Sequence, residues 1–253
     1  MNNVFDIDRF GNLFAYECRN FLPRIANALI TYVCIIFSFW AVMVAAQETM
    51  SAWLRSGIIS FIFGVACAIG PFIVYYNANN RRKGYYYAMI PASTLEKFIS
   101  MLILCLLVVP FLSYVALTAA DYLLYLVSPQ GVFGFKEFML FNPLYSENIY
   151  VDGDVVESGS TFFGYLLSVS LSMMYNMVLR SAKIIKAILI SMAVVFAIMI
   201  AFIIVIVHNI ETVLELFNDF TASQFLLLYN IVVISLSVLF LWVTYRRIKR
   251  VNY

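Results

Sequence analysis

Ionisable residues are scarce in this chain. Only 12% of its 253 residues are charged, about half the share of an ordinary soluble domain, while 64% are hydrophobic and the mean hydropathy is +0.91. Water cannot be the main solvent of such a surface, so the composition is that of an integral membrane protein. Histidine is scarcer still: His208 is the only one, which excludes metal sites built on several histidines and the helical histidine pair with an intervening Glu. The sequence also lacks a Gly-x-Ser-x-Gly nucleophile elbow and a Gly-rich loop ending in Lys-Ser/Thr. No catalytic residue, metal ligand or cofactor is therefore expected, and no basic, aromatic-interleaved patch points to nucleic acid. The four cysteines, Cys18, Cys34, Cys67 and Cys105, fall near the N-terminus or inside apolar runs, where they serve as small hydrophobes and not as a disulfide or metal framework. A basic n-region and a small-residue cleavage site are missing from the first residues, so the first apolar run is expected to stay as an anchor.

What the chain has in quantity is apolar runs. A bilayer core about 30 Å thick needs about 20 apolar residues in a helix, and six runs approach or exceed that length: 25–46, 56–76, 95–117, 162–179, 184–207 and 225–245. The third continues through Tyr122 and Tyr125 to Val127, as a long, tilted helix would. Ahead of the first run, Phe10, Leu13, Phe14, Cys18 and Phe21 recur at helical spacing while Arg9, Asn12 and Arg19 fall elsewhere. This predicts an N-terminal amphipathic helix over 8–22 lying in the membrane interface, the alternative being a polar lead-in to the first spanning helix. The expected fold is an all-α integral membrane protein, one transmembrane domain over 1–253, with six transmembrane helices.

Basic residues are retained in the cytoplasm, and their distribution sets the orientation. Arg9, Arg19 and Arg24, then Arg81, Arg82, Lys83 and Lys97, then Arg180, Lys183 and Lys186, then Arg246, Arg247, Lys249 and Arg250 all fall on one side, leaving only Arg55 and Lys136 on the other. The other side carries ten of the fourteen acids, from Glu48 to Asp219. Both termini are thus expected in the cytoplasm of a multi-pass membrane protein. The long outer loop 128–160 divides into an aromatic half and an acidic half with an Asp152-Gly153-Asp154 turn.

Within the predicted helices no Asp, Glu, Lys or Arg occupies a core position, which disfavours ion-coupled transport; Asp121 stands where the third helix reaches the outer surface. Milder polar residues form one stripe on the fourth helix, Tyr165, Ser168, Ser172 and Asn176. Such a stripe either packs against a neighbouring helix through hydrogen bonds or lines a path. Gly57, Gly64 and Gly70-Pro71 make the second helix thin-sided, and Pro110 interrupts the third.

The segment 79–96 brings charge, aromatic surface and turn chemistry together. Arg81, Arg82 and Lys83 hold it in the cytoplasm, Gly84 breaks the chain, and Tyr85, Tyr86, Tyr87 and Ile90 give a short aromatic surface at headgroup depth. Pro91 pushes Ile90 out of helical geometry, and Ser93 and Glu96 have the spacing of a capping box that starts the third helix. One reading is a basic membrane-surface connector whose tyrosines belong to the aromatic belt. The other comes from a resemblance. The run Met89-Ile90-Pro91-Ala92-Ser93-Thr94-Leu95-Glu96-Lys97-Phe98, in a six-helix chain with an interfacial N-terminal helix, resembles the coupling region of ABC-2 type transporter permeases, especially the small six-helix permease subunits of the Bacteroidetes type. The resemblance implies a membrane permease subunit that couples a separate ABC-type ATP-binding subunit to export of a hydrophobic or amphipathic substrate. It also implies a homodimer or a second permease subunit, a surround of membrane lipid, and a coupling role for Arg81, Arg82, Tyr85, Tyr86, Tyr87, Ile90, Pro91, Ser93 and Glu96. Family exporters often place their main outer element between helices five and six, whereas here the larger outer segment follows helix three. A non-transporting membrane scaffold or sensor with the same fold is the competing reading.

Overall fold

The computed structural model of the chain describes residues 5–46, 52–79, 84–127, 148–151, 154–157, 161–208 and 222–251. Arg81 and Arg82, the 209–221 loop and all of the 128–160 segment except two strands lie outside the described residues. The helices are α1 (Ile7–Ala45), α2 (Ala52–Tyr75), α3 (Gly84–Met89), α4 (Thr94–Ile103), α5 (Val109–Val127), α6 (Thr161–Val178), α7 (Lys183–His208) and α8 (Ala222–Val251). A π-helical turn, Leu104–Val108, joins α4 to α5, so the third spanning segment runs from residue 94 to 127 as the long apolar run required. Five of these spans are long and apolar enough to cross a membrane among the described residues, and α6 is a shorter apolar helix.

The remaining described element is a hairpin, β1 (Asn148–Val151) and β2 (Asp154–Glu157), antiparallel with Val151 opposite Asp154. Two residues, Asp152 and Gly153, separate the paired positions, and Asp-Gly between β-branched and aromatic residues is a strong short-range hairpin signal.

α1 corrects one expectation. It begins at an extended Asp6, whose carboxylate accepts from the backbone N–H of Asp8 at 3.0 Å and of Arg9 at 3.4 Å, and it continues for 39 residues with Pro23 inside it. At 1.5 Å per residue that is about 58 Å, nearly twice a bilayer core. The stretch 8–22 is therefore not a separate helix but the lead-in of the first spanning one. Its apolar face meets protein: Leu13 and Ile25 are buried, and the Phe21 ring lies 5.2 Å from that of Tyr75.

α1 packs on α2, α4 and α5, α2 on α5 and α6, and α6 most extensively on α8. Tyr245 near the end of α8 meets Phe98 near the start of α4, ring to ring at 5.5 Å, and Arg9 reaches Glu96. Both described ends of the chain thus lie at one end of the bundle. The core combines Ile36, Phe63 and Tyr75 with Met101, Leu104 and Leu117 and with Val169 and Met173. α7 touches chiefly α6 and α2 and leaves Ile188, Met192, Phe196 and Met199 exposed, as lipid-facing residues are.

Two prolines and one glycine show how the helices fit. Pro110 has no N–H for the carbonyl of Leu106 four residues back, and the Tyr165 hydroxyl donates to that carbonyl at 2.7 Å. α2 runs through Pro71 to Tyr75, and the Pro71 carbonyl accepts from Asn176 Nδ2 at 2.7 Å. Gly57 and Gly64 face open space, but a Cβ on Gly70 would stand 2.6 Å from Val109 Cγ1. Gly70→Ala is expected to cost about 1–3 kcal/mol by overpacking, read as a lower thermal midpoint in detergent. Val109→Ala in the same chain should recover part of the loss, because it removes the methyl that the new Cβ meets.

Candidate functional site

The start of α4 is built by local chemistry. The N–H of Ala92 donates to the carbonyl of Ile90 at 2.8 Å, a three-residue turn centred on Pro91 whose fixed φ suits it. Ser93 is extended and caps the helix: its hydroxyl accepts from the N–H of Glu96 at 3.2 Å, and Glu96 Oε2 accepts from the N–H of Ser93 at 2.8 Å. The capping box read from the Ser-x-x-Glu spacing is present in full.

Glu96 does more than cap. Its side chain is fully buried, and Oε1 also accepts from the N–H of Asp6 at 3.0 Å and from Arg9 Nη2 at 2.6 Å, while Oε2 takes Arg9 Nε at 2.9 Å. One carboxylate therefore ties the first turn of α1 to the first turn of α4, through bonds strengthened by its charge.

Deeper in the bundle a second carboxylate joins the same helices. Glu17 is 1% exposed; Oε2 accepts from the Tyr75 hydroxyl of α2 at 2.7 Å and from the Ser100 hydroxyl of α4. Lys97, also buried, lies near enough to interact electrostatically with Glu17. Its Nζ donates to the carbonyl of Tyr87 at 3.1 Å and lies 5.4 Å from the centre of the Tyr87 ring. That ring meets Tyr75 edge-on at 6.0 Å. Because the last carbonyls of a helix lack intrahelical donors, the Lys97 ammonium satisfies one of them in α3 and fixes this six-residue helix to α4. Gly84 starts α3 where a Cβ would stand 3.2 Å from the carbonyl oxygen of Ala78, so the close return of the chain onto the end of α2 suits glycine.

The residues expected from the sequence separate into groups. Tyr87, Ile90, Pro91, Ser93 and Glu96 come together at the α3–α4 junction. Tyr85 and Tyr86 lie on α3, of which only their helical backbone is described. On α6, Tyr165 and Asn176 bond to carbonyls of the π turn and of α2, and the Ser172 hydroxyl donates to the Ser168 carbonyl at 2.8 Å. Asn176 Oδ1 in turn accepts from the buried Lys183 Nζ at 2.7 Å. Tyr165 and Asn176 thus bond this helix to its neighbours, while Ser172 bonds within it.

Sequence reasoning missed Glu17, Lys97, Lys183 and the pair Arg55–Asp121, which buries an ion pair of 2.7 Å between the start of α2 and the end of α5. The absence of charge from the centres of the predicted helices did not extend to their ends, where these residues enter the packing. Glu17 left a readable signal, since it falls on the apolar face of α1, four residues after Leu13 and before Phe21. Arg55 and Asp121 left none, because they are remote from each other in sequence.

No group of three or more His, Cys, Asp and Glu is placed to hold a metal among the described residues. No protein-family model matches the chain, and neither curated proteins nor solved structures yield a match. What the arrangement does physically is mechanical: α3 is linked through Tyr87, Lys97, Glu17 and Glu96 to three long helices at once.

Proposed function

We propose that this chain is the membrane subunit of an ABC-2-like transporter, and that α3 with the Pro91–Glu96 lead-in receives the movement of a separate ATP-hydrolysing subunit. The observation that carries the reading is the attachment of α3. Its carbonyl at Tyr87 is held by Lys97 of α4, and its ring packs on Tyr75, which holds Glu17 of α1. A short helix so tied moves with α1, α2 and α4, not independently of them. In this reading the basic end faces the cytoplasm of a bacterial inner membrane, both termini are cytoplasmic, and the substrate is hydrophobic or amphipathic. Its path forms against a second copy or a second permease.

Purification of the native protein in mild detergent is expected to recover an ATPase subunit. Tyr87→Ala should leave that subunit bound while abolishing the increase in ATP hydrolysis that the membrane chain confers. Recovery of only non-ATPase partners would overturn the reading in favour of a membrane scaffold or sensor.

A further inference from the structure

A cleft of about 300 Å³ opens between α1, the end of α2 and α3, large enough for a small ligand group. Three of its wall residues, Tyr16, Asn20 and Arg24, stand one turn apart along α1, and Asn77 in the turn after α2 and Tyr87 of α3 complete the wall. Among the described residues Arg24 is the only charged side chain in the wall, and no carboxylate lines it. The cleft therefore selects for net negative charge: a zwitterion's cationic half would find no counter-charge beside a guanidinium.

Position supplies the ligand's other half. Arg24 sits where α1 passes from its mixed first part into the apolar run beginning at Ile25. Charged residues at such a boundary lie at headgroup depth. Above it α1 leaves Ile30 61% exposed, an apolar surface against which acyl chains would lie. We propose that this cleft binds the phosphate diester of an anionic phospholipid, with Arg24 as the charge partner, Asn20 and Asn77 as polar partners, and the acyl chains along α1. The proposal does not depend on any ATPase partner, since it concerns this chain alone.

The test is lipid retention by the purified full-length chain in native mass spectrometry, after detergent exchange in mixtures of phosphatidylglycerol and phosphatidylcholine. The chain is expected to keep phosphatidylglycerol in preference. Arg24→Gln should weaken retention about tenfold, the worth of one charge-assisted hydrogen bond. Arg19→Gln, an exposed charge on the same helix outside the cleft wall, should change nothing. Both arginines are exposed, so neither substitution threatens the fold, and size-exclusion behaviour checks this. Displacement by inorganic phosphate would assign the cleft to the free anion, and persistence in its presence to the lipid. Equal retention of the two lipids, or equal losses for the Arg19 and Arg24 variants, would overturn the proposal.

Discussion

Glu96→Ala is expected to lower stability by about 3 kcal/mol and to free the first turn of α1. The substitution removes one half of the capping box, the bond from the Ser93 N–H to the carboxylate, worth about 1 kcal/mol, while the backbone N–H of residue 96 still donates to the Ser93 hydroxyl. It also takes the acceptor from the N–H of Asp6 and from Arg9, charge-assisted bonds worth about 1.5–3 kcal/mol. Arg9 is partly exposed and turns to solvent, which limits the loss. Glu96→Gln keeps the shape and one acceptor oxygen, so it should lose less than Ala. Thermal unfolding in detergent gives the magnitude, and amide hydrogen exchange gives the place: faster exchange should be confined to the starts of α1 and α4. Uniform acceleration along all helices would show that Glu96 has no special part in joining these two ends.

At the opposite end of the bundle, Asp121→Leu is expected to cost about 3–5 kcal/mol, the usual loss when one partner of a buried ion pair is removed. Arg55 and Asp121 are both about nineteen-twentieths buried, and the Arg55 guanidinium also lies 5.9 Å from the Tyr125 ring centre, one turn beyond Asp121. Removing the carboxylate takes away the charge that offsets the burial of the Arg55 guanidinium. The double variant Arg55→Leu/Asp121→Leu should recover most of the loss, because exchanging a whole buried pair for apolar groups is often neutral. A double-mutant cycle of unfolding free energies measures this coupling. If the double variant is as unstable as the sum of the singles, the two charges act independently and the pair does not hold α2 to α5.

These two carboxylates also differ in how far the sequence announces them. Glu96 is legible as a capping residue because Ser93 and Glu96 lie within one helical turn, and the bonds between them form whatever the rest of the chain does. Its second role is not legible, since Asp6 and Arg9 are about ninety residues away. Asp121 reads as a residue near a membrane surface, and only the packing of α2 against α5 turns it into a buried partner of Arg55. The α6 stripe was readable as a stripe; that Tyr165 and Asn176 complete carbonyls of other helices depends on where those helices lie.

The sequence by itself determined the solvent of this protein, the positions of its spanning helices, the grouping of its basic residues and the start of α4. Each of these is a sum over neighbouring residues, because lipid demands a continuous apolar run of bilayer length and a cap needs only one turn of chain. Tertiary structure decided that residues 8–22 extend the first helix in place of forming a separate one. An amphipathic pattern is the same whether its apolar face meets lipid or protein, and the choice rests on Glu17 finding Tyr75 and Ser100, 58 and 83 residues further along the chain. It also decided that the charged residues missing from the helix centres enter the bundle at its two ends, where a partner from another helix offsets the cost of burial.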